Sequence, residues 1–339
     1  MRRIKIAQIG TSRFSHGNQI WNSLNKQTDV FDVVGYAFPE NERKRFSENA
    51  KDFAGAREMS VEEILNDPEI EAVTVETEEA FLTKYALQVT EHGKHVHMEK
   101  PGSPDLQSFR ALLNAVEKKK TVLQIGYMYR HNPMIQDLLR CVREGELGTI
   151  LSVEAQMSCY HEADFRAWQK EQRGGMMFFL GCHLIDLILQ IQGKPIAVIP
   201  CNRSTEANGG NDKNFGLVLL DYGHGISFAK TTSSEVGGFC RRQLVVSGTK
   251  KTVELRPLEI LKKDGIYTKA TEHRLPDRWK RGGRQYRSDR FDRYDGMMLA
   301  FAETITGKRK NTFDSNYEWM LFQTLMSASE LTSSSMLEP

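Results

Sequence analysis

The strongest constraint on the fold is an alternation that runs through the first 125 residues. IKIAQIG reads as a buried strand, NQIWNSLNKQ as a helix, FDVVGYAF as a strand, ENERKRFSENAKDF as one charged surface helix and VEEILNDP as a helix stopped by Pro68. EAVTVET (strand), AFLTKYALQVTEHG (helix closed by Gly93), HVHME (strand), SPDLQSFRALLNAVEKKK (helix with Ser103 as its cap) and TVLQIGY (strand) follow. Strands joined through helices cross over right-handedly into a parallel sheet covered on both faces. The expectation for residues 1–125 is therefore a doubly wound α/β domain, with ligands beyond the carboxyl ends of its strands.

After MIQDLLRCVREGELG the texture changes. TILSVEAQMS, AVIPCNRST, NFGLVLLDYG, GISFAKTTSS, RRQLVVSGTKKTVELRP and GIYTKATEHRL read as strands joined by short turns. A chain of 339 residues exceeds one comfortable core. Residues 126–339 are expected to form a second, α+β domain with a large, mostly antiparallel open sheet. YDGMMLAFAETITG and SNYEWMLFQTLMSASELTSS are helices that pack on that sheet or back on the first domain.

Charge excludes some partners. Forty-six Lys plus Arg against 44 Asp plus Glu leave +2, so no global field favours nucleic acid or membrane. The apolar part of MRRIKIAQIG is too short for a signal peptide, and no stretch approaches the roughly 18 apolar residues of a membrane span. The five cysteines lack a CxxC spacing, and neither they nor His16, His95, His97 and His131 have metal-ligand spacing. A cytoplasmic protein without a metal site is expected.

Two segments carry chemistry. IAQIGTSRFSHGNQIW is a strand, a turn and a helix, with Gly10, Ser12 and Ser15 at the positions of a Gly-x-Gly-x-x-Gly phosphate turn and Phe14 beside them. At the end of the second strand an acidic residue would hold a ribose; Phe38 stands there and either stacks on a base or joins the core, with Glu40, Arg43, Lys44 and Arg45 following. The second segment, GGMMFFLGCHLIDL, sets His183 and Asp186 in an apolar run. A satisfied core histidine with a locally paired aspartate is the plain reading; a site histidine is the sharper one.

HVHMEKPGSP with Glu99, Lys100 and Pro101, then QIGYMYRHNP, then GGMMFFLGCHLID, resemble in order and spacing the glucose-fructose oxidoreductase and inositol dehydrogenase family, Gfo/Idh/MocA. The likeness extends to VVSGTKKTVEL and FAETITGK. It implies a Rossmann domain, a sheet-rich domain whose open face makes a homo-oligomer (dimer or tetramer), a bound NAD or NADP, and a sugar, inositol or other polyol substrate losing hydride from a secondary carbinol.

By that resemblance Lys100 and His183 are the catalytic residues. Imidazole removes the hydroxyl proton near neutral pH, and a lysine cation stabilises the growing alkoxide. Gly10, Ser12, Phe14, Ser15, Phe38, Thr77, Glu99, Lys100 and Gln124 are expected at the cofactor. Lys100, Tyr129, Arg130, Tyr160, Arg166, Trp168, Phe179 and His183 are expected at the substrate; Arg130 and Asn132 alternatively fix the domain junction, and Tyr160 and Trp168 alternatively belong to the core.

The departures are specific. Phe179 stands where the family carries an aspartate that supports the histidine, and Thr77, Glu78, Glu79 and Leu82 replace a Thr-Pro-Asn-x-x-His segment. Glu78 and Glu79 would repel a pyrophosphate unless they turn away. Two other readings therefore stand beside the dehydrogenase: a redox-inactive sugar- or nucleotide-binding protein, and a lyase or hydrolase that recycles bound NAD. The arginine-rich stretch 274–293 reads as a solvated loop or subunit contact, or as a lid for a carboxylated or phosphorylated sugar.

Overall fold

In a computed structural model that describes residues 2–171, 173–205, 212–274 and 282–332, the chain forms two units. The first joins Met1–Met128 to Tyr294–Trp319, and the second joins Tyr129–Arg293 to Met320–Pro339.

The first unit alternates as its apolar periodicity requires: β1 (Ile4–Ile9), α1 (Gly17–Lys26), β2 (Phe31–Ala37), α2 (Glu42–Arg45), α3 (Ser47–Ala50), α4 (Val61–Asn66), β3 (Ala72–Val75), α5 (Glu79–Glu91), β4 (His95–Met98), α6 (Leu106–Lys119) and β5 (Leu123–Ile125). Its sheet is parallel in every pair, in the order β2-β1-β3-β4-β5. The near-continuous apolar strands fit a sheet covered on both faces: all four residues of β3 are buried.

Two local expectations change here. The charged stretch after β2 is not one helix, because the backbone leaves helical geometry at Phe46 (φ −125°, ψ 48°) between α2 and α3. The broken path brings Phe53 into the core against Trp21 (4.7 Å between ring centroids) and Tyr36 (5.0 Å), so tertiary packing overrides local propensity. The cap of α6 is Asp105, which accepts from Ser108 N at 2.7 Å, and not Ser103. Ser103 instead ties α5 down, donating to Glu79 O (2.7 Å) and accepting from Thr83 N (3.2 Å).

The second unit opens with α7 (Pro133–Arg143), capped by Asn132, and continues with β6 (Ile150–Gln156), α8 (Ala163–Glu171), α9 (Gly175–Phe179) and α10 (Gly181–Gln192). Next come β7 (Ala197–Pro200), β8 (Phe215–Asp221), β9 (Ile226–Thr232), β10 (Gln243–Gly248), β11 (Lys251–Leu255), the hairpin β12 (Ile260–Lys262) and β13 (Gly265–Tyr267), β14 (Lys269–Arg274) and β15 (Arg284–Arg287). Eight strands make one sheet in the order β15-β14-β11-β10-β6-β9-β8-β7, antiparallel except between β6 and β9. The fold classes read from the sequence thus hold for both sheets.

Alternation along the strands gives that sheet two faces. Val153, Val218, Leu220, Ala229, Leu244 and Val246 are buried, and α9 and α10 pack on β8 and β9. The other face shows, in register across β7, β8, β9, β6 and β10, the row Ile199, Leu219, Phe228, Glu154 and Val245. None of these five is buried. Residues 275–281 of the arginine-rich stretch lie outside the described residues. Later in the chain, α11 (Asp295–Ile305) belongs to the first unit, and α12 (Ser315–Ala328) begins there and ends in the second.

Candidate active site

In the first unit the loops after β1, β2, β3 and β4 lie at the carboxyl ends of the parallel strands, where α/β sheets bind ligands. Gly10 has φ +91°, and a Cβ on it would fall 2.4 Å from Thr77 Cγ2, so the turn closes on Thr77 only because this residue is glycine. The two serines bond each other: Ser12 N donates to Ser15 Oγ (3.0 Å) and Ser15 N to Ser12 Oγ (3.1 Å). Gly17 N also donates to Ser15 Oγ at 3.2 Å, and Thr11 N donates to Glu42 Oε2 at 3.0 Å.

The turn nevertheless fits a dinucleotide. The helix it leads into, α1, has no acidic residue in its first turn, and its first N–H, that of Gly17, is met by the Ser15 hydroxyl, a neutral acceptor that an anion can replace. Each serine hydroxyl also carries an O–H that can donate to a phosphate oxygen while its lone pairs accept from the backbone.

The neighbouring acids are compensated. Glu42 is fully buried and burial raises its pKa to about 8, so it is mostly neutral at pH 7. Glu78 pairs with Arg45 at 2.5 Å, and burial raises Glu79 to about 7. The repulsion expected from Glu78 and Glu79 is thus met by an ion pair at one and partial protonation at the other.

Phe38 joins the aromatic core, with ring centroids 4.7 Å from Tyr36 and 5.0 Å from Phe53. Phe14 lies under Arg13 at 5.3 Å. Among the polar residues after β2, Glu40 binds Lys84 and Tyr85, each at 2.8 Å, while Arg43 bonds Tyr36 Oη at 2.9 Å and pairs with Glu58. Gln124 accepts from the His97 ring at 2.8 Å and donates to Met297 O at 3.2 Å. Its amide therefore orients a buried histidine.

Lys100 is 3% exposed, with its Nζ 4.0 Å from Glu99 Oε1. Glu99 also meets His16 Nδ1 at 3.2 Å. Burial alone would raise Glu99, but His16 and Lys100 outweigh it and hold the carboxylate below its usual range. Glu76 is fully buried, with Oε1 3.6 Å from His97 Nε2. Burial first, then Glu99, lift its pKa well above the carboxylate range. Glu76 was missed in the sequence, although an ionisable residue closing the apolar EAVTV strand carries the same signal that singled out Lys100.

In the second unit His183 is the third residue of α10 and 1% exposed. Gly181 lets α10 approach α9, since a Cβ there would lie 2.5 Å from Met177 Sδ. The Tyr129 ring stands edge-on to His183, 5.3 Å between centroids. Asp186 is paired locally, accepting from Gln190 Nε2 at 2.9 Å, and also at a distance: Arg130, 56 positions earlier, donates from Nε to both carboxylate oxygens (3.1 Å each) and from Nη2 to Oδ1 (2.8 Å). That buried fork ties the start of the unit to α10, while Asn132 caps α7 and donates to Thr268 Oγ1 at 2.9 Å.

Phe179 packs on Phe165 and Trp168, each 5.4 Å away, and His161 stacks on Phe165 at 3.6 Å. Tyr160 is 54% exposed and bridges to Ser234. Arg166 is half-buried on α8. Two residues absent from the sequence reading, Arg242 and Glu259, join Tyr129: its hydroxyl donates to Glu259 Oε2 (2.8 Å) and accepts from Arg242 Nη1 (3.1 Å). Among the described residues no group of three or more His, Cys, Asp or Glu could hold a metal ion, and no helix is long and apolar enough to cross a membrane.

Comparison with known proteins agrees with this architecture. Residues 4–127 match the oxidoreductase family with an NAD-binding Rossmann fold, and residues 135–254 match the Gfo/Idh/MocA C-terminal domain. The NADP(+)-dependent scyllo-inositol 2-dehydrogenase of Bacillus subtilis is 28% identical over 225 residues, 66% of this chain and 62% of that protein. Levoglucosan dehydrogenase of Pseudarthrobacter phenanthrenivorans is 28% identical over 141 residues, 40% of this chain and 36% of that protein. The chain thus spans less than two thirds of either relative. A 3-ketoreductase from Actinomadura kijaniata, solved with NADP and TDP-benzene, superimposes with a TM-score of 0.78 at 16% identity, covering 96% of this chain and 97% of that one. With both sheets and both family domains in place, this chain belongs to the Gfo/Idh/MocA family of oxidoreductases, with an NAD-binding Rossmann domain.

Proposed function

We propose that this protein is an NAD(P)-dependent dehydrogenase that oxidises a secondary hydroxyl of a sugar, an inositol or other polyol, or a glycoside. The observation that carries the reading is Lys100: a lysine almost fully withdrawn from water at the carboxyl end of β4, flanked by Glu99. Burying an ammonium group is costly and is offset here by the acidic residues around it, and a cation held in that position can stabilise a developing alkoxide. The two relatives named for inositol and anhydrosugar oxidation support the substrate class. Bound NAD or NADP supplies the nicotinamide that accepts hydride.

The chain's own residues do the rest. The Gly10–Ser15 turn, the start of α1 and Thr77 hold the dinucleotide. Lys100 orients the reacting hydroxyl, and His183, edge-on to Tyr129, takes its proton. Tyr160, Arg166, Trp168 and Phe179 offer rings and a cation to the sugar. The sheet row Ile199, Leu219, Phe228 and Val245 makes a homo-oligomer through the second unit the expected assembly, and we place the protein in the cytoplasm.

The test is reduction of added NAD or NADP by a panel of polyols and sugars, followed by absorbance. Lys100→Met and His183→Ala should each lower kcat by about 10²–10⁴-fold with the melting temperature kept. A His183→Ala protein that melts early but turns over normally would return His183 to the core. One observation favours a redox-inactive reading: the N–H groups of Ser12, Ser15 and Gly17 already donate within the turn, and that of Thr11 to Glu42. Absence of nucleotide binding at millimolar NAD or NADP would select it, whereas tightly held nicotinamide without net reduction would select the recycling lyase or hydrolase.

A further inference from the structure

We propose that Arg242 is the anion anchor of the substrate site, and that the sugar this protein takes carries a carboxylate. The inference rests on the sugar-dehydrogenase reading and sharpens its substrate class. Arg242 directly precedes β10, with extended backbone after a short turn at Phe239–Arg241, and is 5% exposed. A guanidinium has five N–H donors. Nη1 donates to Tyr129 Oη at 3.1 Å and approaches Glu259 Oε2 at 3.5 Å, and Nη2 donates to Cys159 Sγ at 2.9 Å. Nε is buried with no acceptor, and only one of the two Nη2 protons is used. Nε and Nη2 form the side-on edge of the guanidinium, the fork that matches the two oxygens of a carboxylate.

Charge agrees with geometry. The only carboxylate in ion-pair range of Arg242 among the described residues is Glu259. Arg293 already takes both Glu259 oxygens, at 2.5 and 2.7 Å. Glu259 is therefore shared between two guanidiniums, and the Nε–Nη2 edge of Arg242 faces no carboxylate of its own. A buried donor without an acceptor is destabilising unless a ligand completes it. The position suits a substrate role, because Tyr129, which Arg242 holds by its hydroxyl, is the ring packed against His183. On another side, Arg242 helps to lower the pKa of His161, after burial, to about 4; His161 is stacked on Phe165 beside Trp168 and Phe179.

The experiment is calorimetric binding to the full chain in the presence of NADP or NAD, using glucuronate, its neutral methyl ester, glucose and glucose 6-phosphate. Glucuronate should bind ~10-fold or more tighter than its ester and than glucose. Arg242→Gln should abolish that advantage, and Arg242→Lys, which keeps charge without the fork, should retain only part of it. Equal binding of acid and ester by the wild type overturns the inference, and that comparison needs no variant to fold. An advantage that survives Arg242→Gln, tighter binding of the phosphate, or binding of none of the four overturns it as well. Acid binding that depends on Arg242 without hydride transfer would leave the anchor standing and remove the dehydrogenase. Oxidation of neutral polyols with no preference for acids would do the reverse.

Discussion

In the first unit Glu76, Glu79 and Glu99 gather about the single ammonium of Lys100, and burial pushes Glu76 and Glu79 toward their neutral forms. In the second unit each buried carboxylate of the site is met by guanidinium: Asp186 by Arg130, Glu259 by Arg242 and Arg293. Both arrangements solve the same problem, keeping polar groups away from water, by different chemistry. Protonation leaves the first set responsive to pH. Forked ion pairs make the second set dependent on geometry, so that deleting one partner is the damaging change.

Several substitutions break or sharpen this contrast. The largest effect is expected from Asp186→Ala, which leaves Arg130 buried without its counter-ion and should lower stability by about 3–5 kcal/mol in urea unfolding. A loss below about 1 kcal/mol would mean that water or another acid replaces Asp186 at little cost. Phe179→Asp sets a charge against Phe165 and Trp168 and should cost about 2 kcal/mol without raising turnover. A gain in kcat would show that the acidic partner of His183 was what this site lacked.

Glu42→Gln probes the first unit. Folded Glu42 keeps its proton to about pH 8, whereas the unfolded chain releases it near the ordinary carboxylate value of about 4.3. The folded state then binds more protons between those values, so this group's contribution to stability falls as pH rises across them. The variant should gain on the wild type by up to ~1.4 kcal/mol per pH unit in that window, read from melting curves at pH 5.5 to 8.5. A pH-independent difference would mean Glu42 is ionised in the fold. The smallest effect is expected from Ser15→Gly, which releases Ser12 N and Gly17 N and should tighten NAD or NADP binding a few fold. Weaker binding would show that the serine pair shapes the turn for the cofactor.

The sheets were legible because strands and helices carry their periodicity locally, and the serine-substituted turn was legible because its glycine precedes a helix. What escaped depended on distant partners. Nothing around Asp186 announces Arg130, and nothing in RRQLVV announces that Arg242 will meet Tyr129, 113 positions earlier. The cap of α6 moved from Ser103 to Asp105 because Ser103 was claimed by α5. Phe38, open between base stacking and core, packs on Tyr36 and on Phe53, delivered by the break at Phe46, while staying partly exposed.

The parallel pairing of β6 with β9 has a consequence for assembly. Parallel neighbours cannot be joined by a tight turn and need a long crossover. Here that crossover contains α8, α9 and α10, and hence His183. Glu154 and Phe228, which align in the pair, lie 74 positions apart, so this pairing closes a far longer stretch of chain than the sheet's hairpins do. The helix bearing the proposed base is therefore part of the connection between the sheet's two parallel neighbours. A chain that mispairs this strand would lose its scaffold and its chemistry in one step, which leaves little room for a stable, inactive product of synthesis.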